Sequence, residues 1–350
     1  MDALEGQRGS GVYNVYFEGP PPQEQLDWEL DGSTWVLLPP TYVSSPRAVI
    51  HFVGGTFFGS SPKLWYRGLL EEIVRATSCT IVATPIPVTL LKNPLQHVKL
   101  GRKLRRQFQS AYTNILEDEY GRDVLKDIPI VGMGHSLGAR LLVVLATLQD
   151  SNHYADYKSY ILMSFTNYAS AASIPGIQSL LSQSKRLEDR EETKTRKRQS
   201  DDDDYDQEWD ELMEDLTGAL KDQAEKLKTA LTPRSNELEF YPSPDQLWKA
   251  LKEDQRYRIQ QTLIVQFDED NVDQSPRLTD CLVESTDIKY CRLRGTHLTP
   301  VKVGDNDWLP SQASQALWKL ITGKQSRRTT DAFRDLRQSI ARYITDVVVK

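Results

Sequence analysis

The segment GHSLG at 134–138 sets a serine between two glycines, which makes that serine a candidate nucleophile. An apolar run, IPIVGM at 128–133, precedes it, and a stretch with helical spacing follows. A Gly-x-Ser-x-Gly turn between strand and helix makes the serine oxygen protrude, and the small residues let strand and helix approach closely. Ser136, flanked by Gly134 and Gly138, is therefore predicted to be a nucleophile. The alternative interpretation is a tight structural turn that happens to contain a hydroxyl.

A nucleophilic serine needs a histidine that accepts its proton. His297 lies in RLRGTHLTP, just after the last predicted strand, where a loop would hold it above the sheet. His153 is too close in sequence to the predicted nucleophile helix to swing over the site. His51, His97 and His135 are interpreted as packing or surface residues, so His297 is the predicted base.

A serine and histidine pair of this kind also needs a carboxylate that orients the imidazole. The turn after the penultimate predicted strand offers three candidate aspartates. The segment DEDNVD at 268–273 contains Asp268, Asp270 and Asp273. A position about three residues past the strand end favours Asp270, with the other two as alternates. Carboxylates in such turns also cap their own backbone amides, which would explain at least one of them. The order Ser136, Asp270, His297 matches the order found in one large class of hydrolases.

Backbone amides should stabilise the oxyanion that such chemistry forms. One is the amide of Leu137, directly after the nucleophile, and the other is the amide of Thr56 in FVGGTFFG, where Gly54 and Gly55 permit a sharp turn. The sequence shows neither a phosphate-binding nor a dinucleotide-binding glycine motif, and no metal-ligand spacing. We therefore expect no cofactor and no metal.

The elements that must position these residues alternate between short strands and amphipathic helices. This pattern predicts an α/β fold, with a mostly parallel central sheet covered by helices on both faces. Strands are predicted at 47–53, 79–84, 128–133, 159–165, 262–267 and 288–293, and helices at 62–77, 94–119, after Ser136, at 312–322 and at 329–348.

The alternation fails between the strand ending at Phe165 and the strand starting at Thr262, because this connection is too long for a simple crossover. It contains a highly charged segment, about 186–208, which is expected to be disordered. An amphipathic helix is expected from Trp209 to Leu231. We therefore predict a helical cap inserted after the strand that ends at Phe165.

The resulting domain organisation has three parts. Residues 1–34 form an N-terminal strand and loop region, residues 35–165 and 259–350 form the core, and residues 166–258 form the cap insertion.

Composition narrows the class of protein. The net charge is −6 and the pI about 5.5, which argues against a nucleic-acid partner. No apolar run reaches the length of a transmembrane segment, and the N-terminus shows no convincing targeting peptide. Three cysteines without paired spacing fit an intracellular, reduced protein. The expected location is therefore soluble and intracellular, in the cytoplasm or a plastid.

Six segments together resemble an uncharacterised, domain-of-unknown-function family of cyanobacterial and plastid proteins. They are FVGGTFFGSSPKLWYRGLLEEI, GMGHSLGARL, ILMSFTNYASAASIP, LEFYPSPDQLW, LIVQFDEDNVDQS and LRGTHLTP, spread over 35–301. That family is assigned to the α/β-hydrolase superfamily and has no settled activity. The resemblance implies an α/β-hydrolase fold and a photosynthetic setting, with chloroplast location for many plant members.

The sequence thus favours a serine hydrolase that cleaves an ester or thioester of a small-molecule or lipid acyl substrate. The alternative is a catalytically inactive α/β-hydrolase-like protein that binds a lipid, a pigment or a protein partner in a photosynthetic organism. A third possibility, an assembly factor acting through the charged segment, is the weakest, because such segments are usually solvated loops.

Overall fold

The computed structural model of the chain describes residues 26–56, 58–86, 96–148, 157–168, 240–282, 284, 286–302 and 327–349. Three predicted features lie outside these ranges: the charged segment at 186–208, the amphipathic helix expected from Trp209 to Leu231, and the helix expected at 312–322. None of the helices within the described ranges combines the length and apolar content needed to cross a membrane.

One eight-stranded sheet organises the described residues. Its strands are β1 (Trp28–Asp31), β2 (Thr34–Leu37), β3 (Val49–Val53), β4 (Thr80–Ala83), β5 (Ile130–His135), β6 (Tyr157–Met163), β7 (Gln261–Phe267) and β8 (Asp287–Leu293). Their order across the sheet is β1-β2-β4-β3-β5-β6-β7-β8. β2 pairs antiparallel with β1 and β4, and the pairs from β4 to β8 are all parallel. This is the α/β-hydrolase arrangement, so the predicted fold class is confirmed.

Helices cover both faces of the sheet. They are α1 (Pro62–Trp65), α2 (Arg67–Thr77), α3 (His97–Ala111), α4 (Glu117–Tyr120), α5 (Arg122–Leu125), α6 (Leu137–Thr147), α7 (Pro244–Lys252), α8 (Ser275–Leu282) and α9 (Arg327–Tyr343). A π-helical turn, Tyr112–Leu116, joins α3 to α4, and another, Ile344–Val348, follows α9.

Successive side chains of a strand point to opposite faces of the sheet, and because helices cover both faces, the central strands are buried throughout. In β3, Ile50 and Phe52 face the core under α2 and α9, whereas Val53 faces the core under α3 and α6. A strand buried on both faces needs apolar residues on both faces, and Val49, Ile50, Phe52 and Val53 provide them around His51. Burying each such side chain stabilises the fold by about 1.5–3 kcal/mol relative to leaving it in water.

Two predicted helices differ in detail from the structure. The helix predicted at 62–77 breaks at Tyr66, which separates α1 from α2, and the one predicted at 94–119 begins only at His97 and passes through the π-helical turn. A basic stretch, KLGRKLRR at 99–106, lies within α3, and arginine and lysine side chains are mostly exposed in proteins. Its Arg105 is instead buried, with its guanidinium over the rings of Phe108 and Tyr157.

The long connection leaves the sheet after β6 and returns at β7. Its last described part, α7, contributes buried Leu247, Trp248 and Leu251 to the same core as α6. The Trp248 ring also packs edge-on against Phe165, 5.8 Å away between centroids. The return segment therefore docks on the core beside the carboxyl end of β6.

Candidate active site

Ser136 stands at the tip of the turn between β5 and α6, in a backbone conformation that side chains rarely adopt. Its φ is 55° and its ψ is −116°. Its amide donates to the carbonyl of Met163 at 2.9 Å, which ties the turn to the neighbouring strand β6. A non-glycine residue at positive φ costs on the order of 1–3 kcal/mol and persists only where its surroundings enforce it.

The two glycines of the elbow provide the space that this turn needs. A Cβ at Gly138 would overlap the carbonyl of Val53 in β3, and a Cβ at Gly134 would come within 2.6 Å of the Ala139 nitrogen. Both positions therefore require glycine because backbone atoms, which cannot rotate away as a side chain can, occupy the space beside them.

The imidazole of His297 lies between Ser136 and Asp270. Its Nε2 is 2.9 Å from the Ser136 Oγ, and its Nδ1 is 2.8 Å from the Asp270 Oδ2. Because a carboxylate only accepts, Nδ1 carries the hydrogen and Nε2 is the acceptor for the serine hydroxyl. This tautomer is the one that can take a proton from a serine.

A compact turn after β8 holds His297 in place. The Thr296 amide donates to the Thr299 hydroxyl at 2.8 Å, and the Thr299 amide donates back to the Thr296 carbonyl at 3.0 Å. Gly295, with φ of +135°, begins the turn, and a Cβ there would lie 2.4 Å from the Thr299 Oγ1. The loop therefore presents its histidine from a fixed backbone.

The structure separates the three candidate acids. Asp270 contacts His297, and its other oxygen, Oδ1, accepts the Val272 amide at 3.1 Å. Asp268 accepts the Gly295 amide at 2.9 Å, and Asp273 accepts the Ser275 amide at 2.7 Å at the start of α8. Asp273 thus caps an amide next to its own turn, whereas Asp268 binds an amide of the loop after β8, 27 positions away.

Asp270 remains ionised although its side chain is fully buried. Burial raises the pKa of a carboxyl, but the hydrogen bond and charge of His297, with a further hydrogen bond from the Val272 amide, outweigh it and lower the pKa of Asp270 below its ordinary value. Burial, together with the neighbouring charge of Asp270, raises the pKa of Asp273 to about 6. The two carboxyls therefore differ in charge at mildly acidic pH.

The two predicted oxyanion donors belong to segments that meet at Ser136. Leu137 is the first residue of α6, so its amide is one of those that a helix leaves without an internal acceptor. The glycine loop after β3 lies against the serine, since a Cβ at Gly55 would be 3.4 Å from the Ser136 Cβ. The carbonyl of Gly55 accepts the Gly59 amide at 2.7 Å, which fixes the peptide plane that carries the Thr56 amide.

His135 was interpreted as a packing residue, and it is buried, but it is also hydrogen-bonded through both ring nitrogens. Nδ1 is 2.8 Å from the Tyr66 hydroxyl, and Nε2 is 2.8 Å from the carbonyl oxygen of His297. Tyr66 was not singled out from the sequence at all. No signal in the sequence marks it, because the residues around it have ordinary helical spacing.

The other histidines lie apart from this hydrogen-bonded chain. His51 is buried in β3, between the Tyr157 hydroxyl at 2.6 Å and the Thr84 hydroxyl at 2.8 Å. His97 is buried at the start of α3, where its ring stacks on Phe240. His153 lies outside the described residues.

Fold and site geometry together define an α/β-hydrolase-fold protein with a serine, a histidine and an aspartate in one hydrogen-bonded chain. The chain belongs to the family described as "Protein of unknown function (DUF1350)", whose model matches residues 27–338. A comparison with curated proteins gives no match.

Several solved structures are similar to this chain. Carboxyl esterase 2 from the mycorrhizal fungus Tuber melanosporum is 14% identical over 87% of this chain and 86% of that chain, with a TM-score of 0.47. A fungal esterase from Rhizomucor miehei is 13% identical over 89% of this chain and 84% of that chain, with a TM-score of 0.42. A thioesterase domain from the curacin biosynthetic pathway is 14% identical over 86% of this chain and 99% of that chain, also with a TM-score of 0.42.

Proposed function

We propose that this protein is a serine hydrolase that cleaves a carboxylic ester or a thioester. Ser136 is the nucleophile, His297 the general base and acid, and Asp270 the residue that orients and stabilises the imidazole. The amides of Leu137 and Thr56 stabilise the oxyanion. The substrate class is a small-molecule or lipid acyl compound.

The reaction follows from the tautomer of His297. As the Ser136 Oγ bonds to the acyl carbon, its proton passes to Nε2, and the carbonyl electron pair moves to the oxygen that faces the two amides. Collapse of this intermediate expels the alcohol or thiol, which takes the proton from Nε2. A water molecule then attacks the acyl-enzyme by the same route, releasing the acid and regenerating the serine.

The observation that carries the proposal is the continuous chain of hydrogen bonds from the Ser136 Oγ through His297 to the buried Asp270 carboxylate. Its members are far apart in sequence, the serine and the histidine by 161 residues. The strained backbone of Ser136 supports the same conclusion, because strain of this kind concentrates at functional sites.

Labelling with a fluorophosphonate tests the proposal, since the probe phosphonylates only an activated serine. We expect wild-type protein to be labelled at Ser136, as located by peptide mass mapping. Labelling should be lost in Ser136→Ala and after heat denaturation. Turnover of a short chromogenic ester should fall by on the order of 10⁶-fold in Ser136→Ala.

Ser159→Ala is the matched control. Its hydroxyl is buried in β6 and bonded to the Tyr343 hydroxyl at 2.6 Å, so this variant also loses a buried serine oxygen but should keep both labelling and turnover. A folded wild-type protein that neither reacts with the probe nor turns over esters or thioesters would refute the proposal. Such a result would favour the alternative of a binding protein without turnover.

A further inference from the structure

His135 and Tyr66 form a second hydrogen-bonded chain, in addition to the one from Ser136 through His297 to Asp270. The Gly55 nitrogen is 2.8 Å from the Tyr66 hydroxyl oxygen, which is in turn 2.8 Å from the His135 Nδ1. On the other side of the ring, Nε2 is 2.8 Å from the His297 carbonyl oxygen. The chain therefore connects the glycine loop after β3 to the backbone of the histidine loop after β8.

The chemistry of the end groups fixes the direction of every bond in this chain. The His297 carbonyl only accepts, so the His135 Nε2 carries a hydrogen and, in the neutral ring, Nδ1 is bare. Tyr66 must then donate its one hydrogen to Nδ1. Its oxygen is left to accept the Gly55 amide, so all the groups are satisfied at once.

This arrangement requires a neutral His135. A second ring hydrogen on Nδ1 would point at the Tyr66 oxygen and leave the tyrosine hydrogen without an acceptor in a buried site. Burial, with the nearby His297 ring acting in the same direction, lowers the pKa of His135 to about 3. The ring therefore stays neutral at any pH at which the protein would work.

The two loops that the chain connects both carry groups of the proposed mechanism. The Gly55 amide belongs to one peptide plane of the glycine loop, and the Gly55 carbonyl, held by the Gly59 amide at 2.7 Å, belongs to the next, which includes the Thr56 amide. The His297 carbonyl belongs to the residue whose imidazole contacts Ser136. His135 itself immediately precedes the serine.

We propose that His135 and Tyr66 are positioning residues, which hold the glycine loop after β3 and the histidine loop after β8 at fixed positions relative to Ser136. This proposal rests on the proposed function, because it assigns the two residues a role in the same acyl transfer. Both side chains are buried, so neither can touch substrate. His135 acts through the backbone of His297, and Tyr66 acts through the Gly55 amide, in the peptide before the one that carries the Thr56 amide.

Tyr66→Phe is the first test, because it removes the hydroxyl and keeps the ring. The Gly55 amide then loses its acceptor, and the glycine loop, still held at the Gly55 carbonyl by the Gly59 amide, can pivot about that bond and displace the Thr56 amide. Since small misplacements of reacting groups cost up to about a hundredfold in rate, we expect kcat for a chromogenic ester to fall by about tenfold to a hundredfold with KM little changed. The rate of fluorophosphonate labelling should fall in parallel.

Tyr257→Phe is the matched control for the loss of a buried hydroxyl. Tyr257 is 3% exposed, and its hydroxyl lies 2.9 Å from the Thr262 hydroxyl, at the start of β7. The variant should lower the Tm, as Tyr66→Phe should, because each removes a buried hydroxyl, but it should leave kcat unchanged. Equal effects of the two substitutions on kcat at equal loss of Tm would overturn the proposal.

Two substitutions of His135 distinguish its hydrogen bond to the His297 carbonyl from its hydrogen bond to Tyr66. His135→Gln keeps an N–H that can donate to the His297 carbonyl, whereas His135→Phe keeps only the ring shape, so the glutamine variant should retain more kcat. Because the two residues act in one chain, Tyr66→Phe combined with His135→Phe should reduce kcat no more than the worse single variant. Losses that multiply would overturn the proposal.

The proposal and the proposed function can fail separately. A wild-type protein without labelling or turnover would refute both. A wild-type protein that is active, with Tyr66→Phe and both His135 variants folded and as active as Tyr257→Phe, would refute only the positioning role. If His135→Phe fails to fold, Tyr66→Phe and its control still decide the question.

Discussion

Asp270→Asn is the substitution whose effect the structure specifies most closely. The side chain has two neighbours that both donate: the His297 Nδ1–H at 2.8 Å and the Val272 amide at 3.1 Å. A carboxylate satisfies both, but an asparagine has only one oxygen. If that oxygen faces Val272, the NH₂ group faces His297, and the imidazole must move its hydrogen to Nε2. In that tautomer Nε2 cannot accept the proton of Ser136.

Two costs set the magnitude. Turning the amide the other way leaves two donors facing each other in a buried site, a penalty of about 1–3 kcal/mol. The loss of a negative charge beside the imidazolium costs about 4 kcal/mol for charges about 4 Å apart at an effective dielectric constant of 20. Together they predict a fall in kcat of about 10⁴-fold, the size seen for this change in Ser–His–Asp hydrolases. Such a fall corresponds to about 5.5 kcal/mol in activation free energy.

The assay is steady-state turnover of a short chromogenic ester, with circular dichroism to show that each variant is folded. Asp268→Asn is the matched control, since Asp268 lies in the same turn and an asparagine oxygen there can still accept the Gly295 amide. We expect the control to keep its activity. An Asp270→Asn variant within tenfold of wild type, or an equal loss in Asp268→Asn, would show that Asp270 does not orient the base.

Three further predictions follow from burial and crowding. Gly138→Ala drives a Cβ into the carbonyl of strand β3, so it should lower the free energy of unfolding by about 1–3 kcal/mol or more and abolish most ester turnover, as urea titration and kinetics would show. Burial raises the pKa of Asp273 from an ordinary 3.8 to about 6, so the folded protein binds a proton on this carboxyl more tightly than the unfolded chain does. The free energy of unfolding should therefore decline as the pH rises from 3.8 to about 6. Asp273→Asn should remove this part of the decline, and a urea midpoint equally pH-dependent in the variant would contradict the assignment. Burial raises the pKa of Cys79 to about 11 and excludes solvent, so iodoacetamide should modify the half-buried Cys281 and Cys291 in native protein but spare Cys79, as mass spectrometry would reveal.

Much of the fold could be predicted from the sequence because it depends on local periodicity. Apolar runs identified the six parallel strands β3 to β8, and helical spacing identified the helix after Ser136, since a strand packed in a sheet and an amphipathic helix each require such a pattern. The turn at Ser136 could also be predicted from sequence, because the crowding at Gly134 and Gly138 excludes any side chain and so requires the glycines of the motif. The break at Tyr66 was not predicted, since the residues around it have ordinary helical spacing.

Part of the candidate site could likewise be predicted from the sequence, and part depended on the tertiary structure. Its residue types, chain order and place on loops at the carboxyl ends of strands follow from sequence alone, and these led to Ser136 and His297. Which aspartate faces the imidazole was left open among three, because all three lie in one short turn and differ only in where that turn directs each side chain. Tertiary structure directs Asp270 to His297 and the other two to backbone amides.

Only the tertiary structure brought Tyr66 and His135 into one chain with Gly55 and the His297 carbonyl. These contacts join residues between 11 and 162 positions apart, and each needs two groups within about 3 Å in the correct orientation. Hydrophobic periodicity determines which face of an element is buried, because burial depends on area and not on direction. Hydrogen bonds between distant loops depend on strand register and loop conformation, which no local pattern in this sequence encodes.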